Sequence, residues 1–493
     1  MYGPPKKSSW KLKLKSTIGF PKKIIANSEI LLIVFVLLFF FVVRIGFEFN
    51  GLYGQDAHEY LRFGKALYQF FLTGTNPGDY MWPVNFPLYG AILSLLTRNV
   101  NFSMQLISVG SFIGIVLYAS KMLKLIFVND TNKRSLFLLC FLLFSPLLLR
   151  ASILIMSDVL CIFFIVGAFY HFFKFEKSGD RMDLYLLVFY SFSAVTTRYP
   201  ASNALLTPGV LTLIKLVREK KILPILLSLC IAGIVLIPHI VIKANRSTYF
   251  LNHEFFTDWS VLNFLKSDFI TAGGGSEKHK IPNIIYSFYN IIHPGYLFIG
   301  APLLLFLKIR DIQSIEIKLM WISIFLYALF LSGVPYQNLR YVMLTFPLAL
   351  ICLYSAYTSF YNFLSERKLV ISATVLILIV QVALFCYVFN MSYRRNLFER
   401  EIFHTLDSYP QNTLYTFDVD VALMSYETKH YVINLLTKDI IFKKGELILF
   451  NEPRFGPQWE HTDLGNNWSN LKSQHQLVQL KELNDGWKLY EIR

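Results

Sequence analysis

Ile30-Leu31-Leu32-Ile33-Val34-Phe35-Val36-Leu37-Leu38-Phe39-Phe40-Phe41-Val42-Val43 is an unbroken apolar run, and Gly51-Leu52-Tyr53-Gly54-Gln55-Asp56-Ala57-His58-Glu59-Tyr60 follows it almost at once. With its flanks the run approaches the roughly 20 residues that a helix needs to cross a bilayer. Carboxylates directly behind such a span are costly near lipid, and charges in that position usually mark function.

The same character extends over most of the chain. Of 493 residues, 54% are hydrophobic and only 16% are charged, against roughly 25% charged in a soluble domain. Apolar runs recur from Ile30 to about Asn390, which predicts a multi-pass α-helical membrane protein. No cleavable signal peptide is expected, because no small-residue cleavage site follows the first run. The net charge of +15 does not point to nucleic acid. Its lysines and arginines crowd a basic tail (Lys6, Lys7, Lys11, Lys13, Lys15, Lys22, Lys23) and short loops, the bias that sets membrane topology and favours anionic lipid head groups. The five cysteines, Cys140, Cys161, Cys230, Cys352 and Cys386, lie in apolar runs without CxxC spacing. They read as small core residues, with no disulfide framework or zinc site.

Placing the basic tail (1–27) in the cytoplasm puts Asp56 outside. Alternating basic loops then give about eleven spans: Ile30–Val43, Phe102–Lys121, Ser135–Leu149, Ser157–Phe173, Leu184–Thr197, Ala201–Leu216, Ile222–Ile242, Ile291–Leu307, Lys318–Gly333, Tyr341–Tyr361 and Leu369–Phe389. The transmembrane domain is expected over 28–390, with external loops at 47–101 and 243–289. In the first loop, Tyr60, Phe63, Leu67, Phe70 and Phe71 have the spacing of an amphipathic interfacial helix. Gly90 to Leu96 is short for a span and reads as a second interfacial helix; a true span there would break the charge alternation. Residues 391–493 change character. Asn396–Ser408 reads as helix, and Thr413–Phe417, Glu446–Phe450, Leu477–Leu483 and Trp487–Ile492 read as strands. The turn signal Asn484-Asp485-Gly486 joins the last two. A small extracytoplasmic α/β domain is expected.

Asp56 and Glu59, three apart at a helix start, are the first candidates for chemistry. A carboxylate at a membrane-edge cleft is a suitable general base for a hydroxyl acceptor. The same spacing also fits a capping arrangement, and the sequence leaves both readings open. Asp158, Arg198, His293 and Arg340 sit at other span ends, where Arg and Tyr are also common interfacial anchors. One topology places all of them, with Asp56, in a single compartment. Two arginines beside tyrosines, Arg198-Tyr199 and Arg340-Tyr341, make a phosphate grip, since guanidinium pairs bidentately with phosphate oxygens. There is no Walker A loop, no GxSxG elbow, no HExxH and no dinucleotide fingerprint. His253 with Glu254 and Asp258 is only a loose metal-like group. No cofactor is required, and a divalent metal is compatible with the sequence.

Several of these motifs occur in an order that resembles a known family. Asp56-Ala57-His58-Glu59-Tyr60, Asn85-Phe86-Pro87-Leu88-Tyr89, Ser157-Asp158-Val159-Leu160, Thr197-Arg198-Tyr199, Leu339-Arg340-Tyr341-Val342 and the closing Asn484-Asp485-Gly486-Trp487-Lys488-Leu489-Tyr490 resemble segments of the membrane-embedded GT-C glycosyltransferases. The likeness is to the group related to protein O-mannosyltransferases and lipid A aminoarabinose transferases. Two positions depart from it. Ala57 stands where the family has a second acid, which displaces that carboxylate to Glu59. Phe86 stands where aminoarabinose transferases carry a lysine.

The resemblance implies a bacterial inner (plasma) membrane enzyme, active on its outer face. It would move a sugar from a polyprenyl-phosphate donor to a lipid, glycan or protein acceptor in one inverting displacement. Asp56 is then the expected base, with Glu59 and Asp158 as further catalytic carboxylates. Arg198, Arg340, Tyr341 and His293 are expected around the donor phosphate, and Tyr60, Tyr89 and Tyr336 on the acceptor and loop side. The 243–289 loop would close over the site. A flippase or other transporter would bind at mid-membrane, where this chain has almost no charge. An external glycan polymerase or ligase fits the motif order less well.

Overall fold

The computed structural model describes residues 28–127, 131–243, 257–270, 275–364 and 366–493. The basic tail, His253, Glu254, Gly273 and Gly274 lie outside the described residues.

The chain is mostly helical and carries apolar helices of membrane-spanning length. Six described helices are long and apolar enough to cross a bilayer: Glu29–Gly46, Val100–Ile126, Ser157–Ser178, Ile222–Lys243, Ile315–Gly333 and Lys368–Asp407. Two bent pairs raise the number to eight. The expected eleven is therefore not confirmed, and the differences have physical causes. Ser135–Leu149 is not one straight span. A π-helix at Leu138–Leu143 and Pro146 bend the chain by 72° between Lys133–Leu143 and Pro146–Ser152, both recognised sources of sharp kinks. The run at Tyr341 is bent by 51° between Leu339–Cys352 and Tyr354–Phe363. Ala201–Leu216 and Ile291–Leu307 are broken into shorter pieces. Asn85–Thr97 is a 13-residue apolar helix, shorter than a span.

The helix Ser157–Ser178 lies at the centre of the bundle, packed mainly on Arg181–Val195 and Val100–Ile126. Small residues allow these close approaches. A Cβ at Gly167 would meet the Tyr190 ring at 2.6 Å, and one at Gly114 the Phe163 ring at 2.4 Å. Cys140, Cys161 and Cys352 are buried as expected, whereas Cys230 and Cys386 lie on exposed helix faces.

The amphipathic helix of the first loop runs over Gly54–Thr73 and buries Ala57, His58, Tyr60, Leu61, Phe63, Gly64 and Leu67. Gly74 ends it in the left-handed conformation (φ 76), its N–H bonded to Phe70 O.

One helix, Arg367–Asp407, spans 41 residues, or about 60 Å at 1.5 Å per residue. That is about twice the hydrocarbon thickness. Its last turns therefore leave the bundle, and Phe398, Ile402 and Leu406 enter the core of the C-terminal domain. The expected division at 390/391 falls inside this continuous helix rather than in a linker.

The C-terminal sheet has the order Tyr431–Asn434, Thr413–Thr416, Leu447–Phe450, Lys488–Ile492, Leu477–Glu482. The first three strands are parallel and the last two pair antiparallel. All four expected strands are present within a residue or two. Tyr431–Asn434 and the helices Glu452–Trp459 and Asp463–Gln474 are additions. Of the expected 243–289 loop, the described part holds a short antiparallel strand pair, Asp268–Ile270 with Ser276–Lys278. Gly275 approaches this domain so closely that a Cβ would meet Trp459 at 2.7 Å.

This arrangement makes a topological prediction. The Asp56 helix is bonded to the C-terminal domain through Gln55 and Lys65. Lys220 lies at the far end of Ile222–Lys243, about 33 Å of helix away. In sealed right-side-out vesicles, an impermeant thiol reagent should label a cysteine at Asp268 or Asn484 but not one at Lys220. Equal labelling of all three would refute the assignment of sides.

Candidate functional site

Asp56 lies in the first turn of its helix, but the N-cap position belongs to Tyr53, which makes no side-chain cap. The capping reading of Asp56 therefore does not hold. Its carboxylate instead pairs with Arg340, 284 residues further along. Nε and a terminal nitrogen of Arg340 both reach Asp158 Oδ2 at 3.0 Å. Arg198 pairs with the other oxygen of Asp158. The result is an alternating chain of charges, Asp56–Arg340–Asp158–Arg198, drawn from four separate parts of the sequence.

The two aspartates differ in access. The Asp158 side chain is 1% exposed and the Asp56 side chain 40% exposed. Asp158 is held by two arginines in the interior, which suits a positioning group. Asp56 opens to a small pocket of about 50 Å³ lined by Asp56, Tyr60, Trp82, Thr197, Arg198, Tyr199, Arg340 and Tyr341, among others. Burial works against the charge of Arg198, but the neighbouring Asp158 carboxylate outweighs it and holds the guanidinium above its ordinary range.

Local features place each member. Asn85 donates from Nδ2 to Thr196 Oγ1 at 2.6 Å and to Ser193 O at 3.2 Å. This fastens the start of Asn85–Thr97 to the turn that carries Arg198. Phe86 is fully buried and packs on the Tyr60 ring at 5.2 Å. Tyr60 and Ser157 share a hydrogen bond of 2.7 Å, linking the Asp56 helix to the residue before Asp158. Burial pushes the Tyr60 phenol up to about 12, so its hydroxyl stays neutral. The Arg198 guanidinium lies 4.8 Å from the Tyr341 ring centre. The Asn338 side chain caps the short helix that presents Arg340, accepting from the Arg340 amide at 2.9 Å.

Other expected site residues lie elsewhere. Glu59 is engaged by Arg62 through two contacts of 2.6 Å and does not line the pocket. His293 faces its own turn, accepting from the Gly295 amide at 3.1 Å beside Tyr289 and Tyr296. Tyr89 packs on Phe164. Tyr336 does not line the pocket; its ring lies 5.8 Å from that of Tyr341.

Two cations near the site were not among the expected residues. Arg150, at the end of the bent Pro146–Ser152 helix, lies within electrostatic reach of Arg340 and Asp158. Its guanidinium stands over the Tyr53 ring at 5.6 Å, and its buried Nε has no hydrogen-bond partner. Among the described residues no carboxylate pairs with it. Lys243 is 2% exposed and donates to Tyr80 O and Met81 O, both at 2.7 Å, clamping the turn before Trp82. The only sequence signal for either was a basic residue at the outer end of an apolar run. No three described His, Cys, Asp or Glu side chains group as metal ligands.

A second hollow adjoins the pocket. It is a mainly apolar groove of about 520 Å³ lined by Phe192, Val195, Leu205, Leu206, Val210, Leu213 and Leu236, with Ser191, Thr196, Tyr199, Ser202 and His239 as polar members. Tyr199 lines both the groove and the charged pocket, and it shares a 3.1 Å hydrogen bond with His239.

No protein-family model matches this chain, and no curated protein sequence matches it. Solved structures do match. The crystal structure of ArnT from Cupriavidus metallidurans bound to undecaprenyl phosphate superposes with a TM-score of 0.59 at 11% identity. The match covers 94% of this chain and 98% of that one, and the apo form of the same protein gives the same values. An apo oligosaccharyltransferase from Archaeoglobus fulgidus matches at a TM-score of 0.46 and 11% identity, over 82% of this chain and 64% of that one. The likeness to ArnT, a membrane glycosyltransferase of GT-C fold, runs over nearly the whole chain, and it is a likeness of fold.

Proposed function

We propose that this integral membrane protein is a glycosyltransferase that moves a sugar from a polyprenyl-phosphate donor to an acceptor hydroxyl at the outer membrane face. One observation carries the reading: a charged pocket containing an accessible carboxylate opens beside a lipid-sized apolar groove, with Tyr199 lining both. A donor with a long apolar tail, a phosphate and a sugar matches that sequence of surfaces. The solved ArnT structure with undecaprenyl phosphate bound supports the same donor class.

The charge count supports an anionic ligand. Arg150, Arg198 and Arg340 face Asp56 and Asp158, so three cations stand against two carboxylates. An unmatched cation in a partly dry site favours an anion, and the donor phosphate supplies one. In the reaction, Asp56 accepts the proton of the acceptor hydroxyl while that oxygen bonds to the anomeric carbon. The bond from this carbon to the phosphate oxygen breaks on the opposite side, and its electron pair leaves with the prenyl phosphate. The arginines stabilise the charge growing there. Prenyl phosphate is a stable anion, so no strong general acid is needed.

The groove provides a test. An added Cβ at Gly209 meets nothing within 4 Å, and Gly209 lines the groove. Gly209→Phe should fill that space and leave folding intact. Displacing two methylenes of the lipid tail costs about 1.6 kcal/mol at ~0.8 kcal/mol each, or roughly tenfold in affinity. Titration of the purified protein with undecaprenyl phosphate reads this directly. Unchanged affinity would remove the groove from the donor site. Cell-envelope glycan mass spectrometry with and without the protein then identifies the sugar, through its loss and the build-up of its prenyl-phosphate donor.

A further inference from the structure

The Asp56 helix is held from outside the bundle by a second buried polar network, which the proposed chemistry does not use. His58, two residues after Asp56, is 0% exposed. Its Nε2 lies 2.9 Å from Glu399 on the long helix, and its Nδ1 lies 2.5 Å from Ser425 Oγ in the C-terminal domain. Arg395 joins the chain, donating to Glu399 at 2.5 Å and to Asp418 at 2.9 Å.

Ser425 Oγ also bonds to Ala422 O at 3.0 Å, and Glu399 takes Arg395 on Oε1 and His58 on Oε2. His58 therefore bridges the long helix and the C-terminal domain through its two ring nitrogens, in the buried order His58–Glu399–Arg395–Asp418. Nearby, Gln55 Nε2 donates to Asp420 Oδ1 at 3.2 Å, and Lys65 Nζ donates to Ser425 O at 3.1 Å. Contacts from the C-terminal domain and the long helix thus lie on both sides of Asp56 in sequence.

We propose that His58 is a positioning residue, which couples docking of the C-terminal domain to the placement of Asp56 against Arg340. The physical reason is leverage. Asp56 is on the first turn, where a helix frays most readily, and its own cap is missing. His58 holds that turn at two points, one on each partner element. A state of the C-terminal domain that releases Ser425 would loosen the turn and, with it, the base. The link to catalysis rests on the reading of Asp56 given above; the mechanical coupling does not.

The test therefore begins with a readout that needs no substrate. Hydrogen exchange on the purified full-length protein should show residues 54–60 exchanging at least tenfold faster in Ser425→Ala, with the central helix Ser157–Ser178 unchanged. His58→Ala should show a larger effect confined to the same segment, and His58→Gln, which can still donate to Glu399, should recover part of the protection. Wild-type protection at 54–60 in Ser425→Ala would overturn the coupling, as would acceleration spread evenly over the chain in all three variants. Undecaprenyl phosphate titration of Ser425→Ala supplies the second arm. Binding should stay within twofold of wild type while transfer falls. Normal transfer with a loosened turn would overturn the catalytic role of Asp56 and leave the coupling standing.

Discussion

Asp56→Asn should lower sugar transfer by about a hundredfold or more, the usual scale for losing a general base, with undecaprenyl phosphate binding retained. The amide keeps the size of the side chain and can still accept from Arg340, so the pocket should hold its shape. It cannot take a proton from the acceptor. The choice of Asp56 over its rivals follows from exposure and partners. Asp158 is buried between two arginines, and Glu59 is engaged by Arg62. In cells, the variant should accumulate the prenyl-phosphate sugar while its glycan product disappears. Turnover within about threefold of wild type, read against that hundredfold scale, would show that another group accepts the proton.

Replacing Arg340 should have the second large effect, on both stability and turnover. Its guanidinium joins Asp56 to Asp158, and only a planar fork addresses both carboxylates from one side chain. Arg340→Ala leaves Asp158 with Arg198 alone and Asp56 with no cation. Breaking a buried pair in this way costs about 3–5 kcal/mol, so a large fall in thermal stability is expected. Arg340→Lys restores one charge and one contact but not the bridge. Loss of a charge-assisted bond to the leaving phosphate adds about 1.5–3 kcal/mol in the transition state, ten- to hundredfold in turnover. The lysine variant should therefore fold better than the alanine variant and remain nearly as inactive. Wild-type activity in Arg340→Lys would make this arginine an interfacial anchor, a role that lysine fills equally well.

What is legible in the sequence is local in origin. Six of the apolar runs, the amphipathic helix after the first span and the four expected C-terminal strands depend on periodicity within a few turns, and these form close to the expected positions. The candidates Asp56, Asp158, Arg198, Arg340 and Tyr341 were legible because charges beside apolar runs are costly and therefore informative. The span count was less legible, because the bends near Pro146 and Leu353 and the breaks near Leu205 and His293 depend on packing that charge alternation does not register.

Only the tertiary structure decided which charges meet. Asp56 and Arg340 are 284 residues apart, and His58 and Glu399 are 341 apart; no spacing rule reaches across such distances. Glu59 and His293 had the same local credentials as the residues that came together. Glu59 is turned away because a helix beginning at Gly54 sets it beside Arg62 one turn on, and His293 because its break in the chain folds the ring onto Gly295. The 72° bend before Pro146–Ser152 brings Arg150, on that helix, within electrostatic reach of Arg340 and Asp158. Sequence alone therefore determined a membrane-embedded bundle with acids and arginines at its helix ends. The tertiary fold determined that two aspartates and two arginines form one alternating chain beside a lipid-sized groove, because burial tolerates those charges only where each finds its opposite.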